Sequence, residues 1–142
     1  MNIYFACSIT GGRKFEPIYQ AITRTLLDGG HLVPTAHLAG KDVMDLEAVV
    51  EPQVVYTRDV NWIQDCDALV AEVSTPSHGV GYEVALALSL GKPVLCCYQE
   101  GQKVSKMLTG NTHSMIRVTS YRDVNQAVQV VQDFLHNLPD YL

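Results

Sequence analysis

A chain of 142 residues, 47% hydrophobic and 18% charged, is long enough to bury the core of a single domain over residues 1–142 without disulfides or metals. Its net charge of -5, with ten scattered lysines and arginines, excludes a surface built to track duplex nucleic acid, which needs clustered cations, and leaves a small anionic ligand open. No apolar run reaches membrane-spanning length, no leader is read before the first strand at Asn2 or Ile3, and four cysteines lack Cys-x-x-Cys spacing, so reduced, buried thiols in a cytoplasmic protein are expected.

The apolar run at residues 3–7 predicts a first strand, with Tyr4 on the opposite face from Ile3 and Phe5. Ser8-Ile9-Thr10-Gly11-Gly12 leads into a helix whose apolar face is Phe15, Ile18, Ile22 and Leu26, stopped by Asp28-Gly29-Gly30. Residues 31–35 predict a second strand, and the polar, mixed stretch 36–46 a mobile loop over the site, carrying His37. A helix runs from about Glu51 to Asp65, with Pro52 tolerated in its first turn. Residues 68–73 suit a third strand buried on both faces. The turn-rich Ser-Thr-Pro-Ser-His-Gly at 74–79 leaves it, and from Gly79 a helix apolar nearly all round begins. A fourth strand at 94–98 opens after Lys92-Pro93, a short helix follows near 104–108 and a fifth strand near 115–118. Val124, Ala127, Val128, Val131 and Leu135 mark a closing amphipathic helix.

This alternation predicts an α/β fold: a five-stranded, mostly parallel sheet, flavodoxin- or Rossmann-like with order 2-1-3-4-5, with helices on both faces. The switch point then falls between the first and third strands, so the loops 8–12 and 74–79 should line one crevice at the carboxyl ends of the strands.

Chemistry-bearing residues gather on those loops. Glu83 sits within the first turn or so of its helix, beside Tyr82 and amid apolar residues. The helix dipole is expected to hold it ionised while burial shields it, which suits a carboxylate nucleophile. Asp59 shares a helix stripe with Val55 and Ile63, so it needs either a structural partner, such as Arg58 or a backbone group, or a task. Two carboxylates converging on one crevice are what glycosyl transfer to water or to a base requires. The Ser8–Gly12 loop is either a monophosphate site at a helix N-terminus or an ordinary turn with a Ser cap. It lacks the Gly-x-Gly-x-x-Gly and P-loop patterns of dinucleotides and triphosphates. Tyr4 needs a partner for its hydroxyl if buried. The histidines have no metal-ligand spacing, and no cofactor or metal is expected. The helix after Gly79 implies a subunit interface or a deep monomer core.

Three segments carry a resemblance. Residues 3–13 (Ile-Tyr-Phe-Ala-Cys-Ser-Ile-Thr-Gly-Gly-Arg), 58–63 (Arg-Asp-Val-Asn-Trp-Ile) and 71–83 (Ala-Glu-Val-Ser-Thr-Pro-Ser-His-Gly-Val-Gly-Tyr-Glu) resemble the nucleoside 2-deoxyribosyltransferase superfamily, within it the 2'-deoxynucleoside 5'-phosphate N-hydrolase branch. The resemblance implies Glu83 as nucleophile, Asp59 as acid/base partner and Tyr4 near the deoxyribose and the nucleophile. It implies Ser8, Ile9, Gly11, Gly12, Ser77 and Gly79 around the 5'-phosphate and sugar, His37 near the base, and Ser105 reaching the phosphate from the neighbouring subunit of a homodimer. Thr10 stands where the mammalian-type pattern has arginine, which implies a weaker phosphate grip. His78 replaces a usual aliphatic residue, which implies an altered base preference. The implied activity is hydrolysis of the N-glycosidic bond of deoxynucleoside 5'-monophosphates. The alternatives are deoxyribosyl transfer to a second base and nucleotide binding without turnover.

Overall fold

The structure, a computed structural model, describes residues 1–141. Four strands, β1 (Ile3–Ala6), β2 (Ala68–Glu72), β3 (Val94–Gln99) and β4 (Ile116–Tyr121), form a wholly parallel sheet in the order β1-β2-β3-β4. The helices are α1 (Glu16–Asp28), α2 (Val43–Ala48), α3 (Pro52–Asp65), α4 (His78–Ser89), α5 (Lys106–Thr109) and α6 (Val124–His136).

Every residue of β1 and β2 is buried, which is why both read as continuous apolar runs rather than alternating ones. Alternation still decides which layer each side chain joins. Ile3, Phe5, Ala68 and Val70 pack with Tyr19 and Ile22 of α1 and with Val131 and Phe134 of α6. Tyr4, Ala6, Leu69 and Ala71 pack on the other face with Ile63 of α3 and with Val80, Val84 and Ala87 of α4. The sheet therefore hands Tyr4 to the α3–α4 layer.

The sheet has four strands, not five. The segment predicted as the second strand makes a single parallel bridge, Asn2 with Leu32, beside β1. Leu32 N–H donates to Met1 O (2.9 Å) and Ile3 N–H to Leu32 O (2.8 Å). The ladder stops there because Pro34 has no N–H, the Thr35 Oγ1 takes the Phe5 N–H (3.0 Å), and Ala36 N–H folds back to Val33 O. The stretch predicted as a mobile loop forms a 3-10 turn at Ala36–Ala39 and then α2, held down by the buried Leu38, Ala39 and Val43.

The helix after Gly79 is not buried all round within the chain. Val80, Val84, Ala87 and Leu88 face inward, whereas Tyr82 is 54% exposed and Ala85 also faces out. An apolar groove of about 570 Å³ runs between α4 and α5, with Val84, Ala85, Leu88, Val104, Met107 and Leu108 in its walls.

Candidate active site

Tyr4 leaves β1 fully buried, and its hydroxyl donates to Glu83 Oε2. Ser77 sets the phase of α4: its Oγ accepts from Val80 N–H (3.3 Å) as the N-cap, one of the residue types that satisfy a helix's orphan donors. Glu83 follows in the second turn. A Cβ on Gly79 would lie 3.9 Å from both Glu83 Oε1 and Ser77 Oγ, so glycine leaves the space over the carboxylate clear for another molecule. Burial pushes the Glu83 carboxyl up to about 8, in the direction opposite to that expected of the helix dipole. The Tyr4 bond works the other way, because a donor favours the charged form.

Asp59 and Glu83 line one cavity of about 260 Å³ between α3 and α4, with Gly79 in its wall. Tyr56 and Tyr82 also line it, both more than half exposed, with hydroxyl oxygens 3.5 Å apart. Asp59 does have the structural partner that the sequence left open: Arg58 Nε donates to its Oδ1 (2.8 Å). Arg58 Nη2 also donates to Glu47 Oε1 (3.0 Å), and the same oxygen meets His37 Nε2 at 2.9 Å. The guanidinium lies 4.8 Å over the Trp62 ring, which His37 meets edge-on at 6.2 Å. His37 is thereby tied to Asp59 through Glu47 and Arg58. Burial raises the Asp59 carboxyl against the pull of Arg58. Burial also works to raise Glu47, but its bonds and charge pairing with His37 and Arg58 prevail and hold it below the ordinary range.

On the neighbouring side of the crevice, Gly11 N–H donates to the buried Ser8 Oγ (3.2 Å). A Cβ on Gly11 would come within 2.6 Å of both Ser8 Oγ and Thr75 Cγ2, so only glycine lets the two loops touch as the switch-point reading requires. Gly12 has φ of +99°, in the left-handed region where glycine is favoured. Arg13 staples this loop in place, donating to Ser8 O (3.3 Å), Leu38 O and Gly40 O (both 3.0 Å). The hydroxyls of Ser8 and Ser77 both act as acceptors toward backbone N–H groups, which leaves each its own hydrogen to donate. Ile9 packs partly buried against the α1–α6 core, while Thr10 and His78 are exposed.

Tyr4, Asp59, Gly79 and Glu83 are thus brought together, with His37 linked to them. Ser105 is not. It caps α5, accepting from Met107 N–H (3.2 Å), and shares the α4–α5 groove with Ser77 rather than the Glu83 cavity. Sequence reasoning missed Tyr56 and Glu47. Tyr56, Asp59, Val60 and Ile63 recur at i, i+3, i+4 and i+7 along the cavity wall, so the informative stripe was one residue away from Val55. Glu47 carried no signal, because its partners lie 10 and 11 residues off in sequence. Among the described residues no group of three or more His, Cys, Asp and Glu side chains could hold a metal ion, and no helix is long and apolar enough to cross a membrane.

Residues 3–133 match the family model described as nucleoside 2-deoxyribosyltransferase. The chain is 42% identical over 118 residues, 83% of its length and 97% of the relative's, to a protein of Methanococcoides burtonii named "Putative 2'-deoxynucleoside 5'-phosphate N-hydrolase 1". It is 41% identical over 113 residues, covering 77% of the chain and 69% of the relative, to the 5-hydroxymethyl-dUMP N-hydrolase of Rattus norvegicus. The solved structure of the Clostridium botulinum CMP N-glycosidase BcmB superposes with a TM-score of 0.72 at 18% identity, covering 93% of this chain and 98% of that one, a likeness of fold.

Proposed function

The chain belongs to the nucleoside 2-deoxyribosyltransferase family, and we propose that it hydrolyses the N-glycosidic bond of 2'-deoxynucleoside 5'-monophosphates to free base and 2-deoxyribose 5-phosphate. The observation that carries the reading is Glu83 held by the Tyr4 hydroxyl in a cavity that Asp59 also lines. The names of the relatives support the same chemistry.

In this reading the ionised Glu83 attacks the anomeric carbon while the bond to the base breaks. The base leaves with a proton supplied by Asp59, whose carboxyl is raised above its ordinary value chiefly by burial. Water, deprotonated by Asp59 in turn, then attacks the anomeric carbon of the glycosyl ester and releases Glu83. Two displacements give net retention. Tyr4 favours the charged nucleophile before attack. Ser8, Gly11, Gly12 and Ser77 surround the 5'-phosphate, with the hydroxyl hydrogens of Ser8 and Ser77 free to donate to it. Ile9 and Gly79 adjoin the substrate, with Gly79 giving the sugar room, and His37 lies near the base.

The apolar α4–α5 groove and the exposed Tyr82 and Met107, at 54% and 82%, support a homodimer in which Ser105 of one protomer reaches the phosphate held by its partner. The experiment is chromatography of base and sugar phosphate from a panel of deoxynucleoside monophosphates, with and without an added acceptor base. Base release at the same rate in both is expected. Release only with acceptor would make the enzyme a transferase, and binding without release would make it a non-catalytic nucleotide-binding protein.

A further inference from the structure

We propose that Glu72, which the chemistry above does not use, is the positioning residue of the loop on the phosphate side: it fixes Ser74 and thereby aims residues 75–77 at the substrate. This rests on the reading that the loop binds a 5'-phosphate.

Glu72 ends β2, fully buried, two residues on from Val70 and so turned toward the α1–α6 layer. Its charge is felt by Cys7, Tyr19, Cys97 and Tyr121, groups contributed by β1 or its end, α1, β3 and β4. A carboxyl in such a place is costly unless its hydrogen bonds repay the lost hydration. The largest of those bonds go to Ser74, with a lesser one to the Tyr121 hydroxyl. Glu72 Oε1 accepts from Ser74 N–H (2.8 Å) and also from the Ser74 hydroxyl. The Ser74 Oγ in turn accepts from Gln99 N–H (2.8 Å), so it stands in for the ladder acceptor that β3 lacks once the chain leaves the sheet.

Ser74 is 3% exposed and is the first residue of the loop. Thr75 follows against Gly11, and Ser77 caps the helix of Glu83. A clamp on Ser74 therefore sets where both halves of the crevice meet. Packing alone does not account for a fully buried carboxyl here: its hydrogen bonds go to Ser74, with the Tyr121 hydroxyl of β4 contributing beside them. An apolar side chain of similar volume would spare the cost of burying it, but it would release Ser74.

The test separates KM from kcat in Glu72→Leu, Glu72→Gln and Ser74→Ala, on one deoxynucleoside monophosphate and on the matching unphosphorylated deoxynucleoside. Glu72→Leu and Ser74→Ala should raise KM for the monophosphate roughly tenfold, with kcat changed less than about threefold and KM for the nucleoside unmoved. Glu72→Gln keeps an acceptor oxygen toward Ser74 and should recover most of the KM. A folded Glu72→Leu with unaltered KM, or equal losses on both substrates, would overturn the assignment. Should Glu72→Leu fail to fold, Ser74→Ala decides, since it opens the same clamp from the other side and an unchanged KM there refutes the role. Wild-type enzyme indifferent to the phosphate would remove the phosphate reading itself and Glu72's role with it, while a wild-type preference left intact in every variant would remove the Glu72 proposal alone.

Discussion

The Tyr4 hydroxyl donates a hydrogen bond to Glu83 across 79 residues of sequence, joining the first strand of the sheet to the helix after the second. That bond opposes the burial that pushes the Glu83 carboxyl up to about 8. Tyr4→Phe removes a donor that favours the ionised acid, so the carboxyl moves further up. The rising limb of the pH dependence of kcat/KM should shift to higher pH, and the rate at pH 7 should fall by about 10- to 100-fold. A pH–rate profile of both proteins checks this; an unshifted limb would mean that Tyr4 does not act on the nucleophile.

Glu83→Gln keeps the shape of the side chain and removes its charge. Turnover should drop by roughly three orders of magnitude or more, while titration calorimetry still detects the monophosphate bound. More than a few per cent of residual rate, once contaminating wild-type enzyme is ruled out, would assign the attack to another group.

For Asp59→Asn the loss should depend on the leaving group. A base that departs reluctantly needs its proton in the transition state, whereas an activated base does not. The ratio of wild-type to variant kcat should therefore be larger by at least about tenfold for the poor leaving base. A uniform loss would leave Asp59 only its ion pair with Arg58 at 2.8 Å.

Folding should favour mild acid. Glu72 and Glu83 are raised in the folded chain from 4.5 to about 7 and about 8, each chiefly by burial. From pH 4.5 upward the unfolded chain has given up protons that the folded chain retains, so these two groups lower stability as pH rises, until each ionises in the native state as well. Thermal melts from pH 5 to 8.5 should show Tm declining, and Glu72→Gln should flatten the part of that decline below about pH 7. An identical slope in the variant would mean that Glu72 ionises near its ordinary value.

The proposed two-fold site can be tested by complementation. If Ser105 reaches the partner's substrate phosphate as proposed, Ser105→Asp sets a carboxylate against it and should inactivate the neighbouring site. When Glu83→Gln and Ser105→Asp chains exchange subunits, half the dimers are mixed and each holds one intact site, so about a quarter of wild-type activity should return. Proven exchange without recovered activity would confine Ser105 to its own chain.

Much of this protein is written locally. The continuous apolar runs of β1 and β2 and the glycines before Glu83 declare a parallel sheet with a carboxylate at its carboxyl edge, because burial on both faces and tight backbone approach each demand particular residue types at short spacing. Even the family resemblance lives in such short segments. Tertiary structure decided whatever depends on partners far apart in sequence. Residues 31–35 have strand-like composition, yet Thr35 takes the Phe5 N–H that a backbone carbonyl would otherwise receive, and the strand shrinks to one bridge. Glu47 joins the site only because α2 brings it to Arg58 of α3, which neither segment's own sequence records. The expected helix dipole favours an ionised Glu83, whereas the side chains packed around it raise its carboxyl: a dipole is a property of one helix, whereas desolvation belongs to everything that packs around the group.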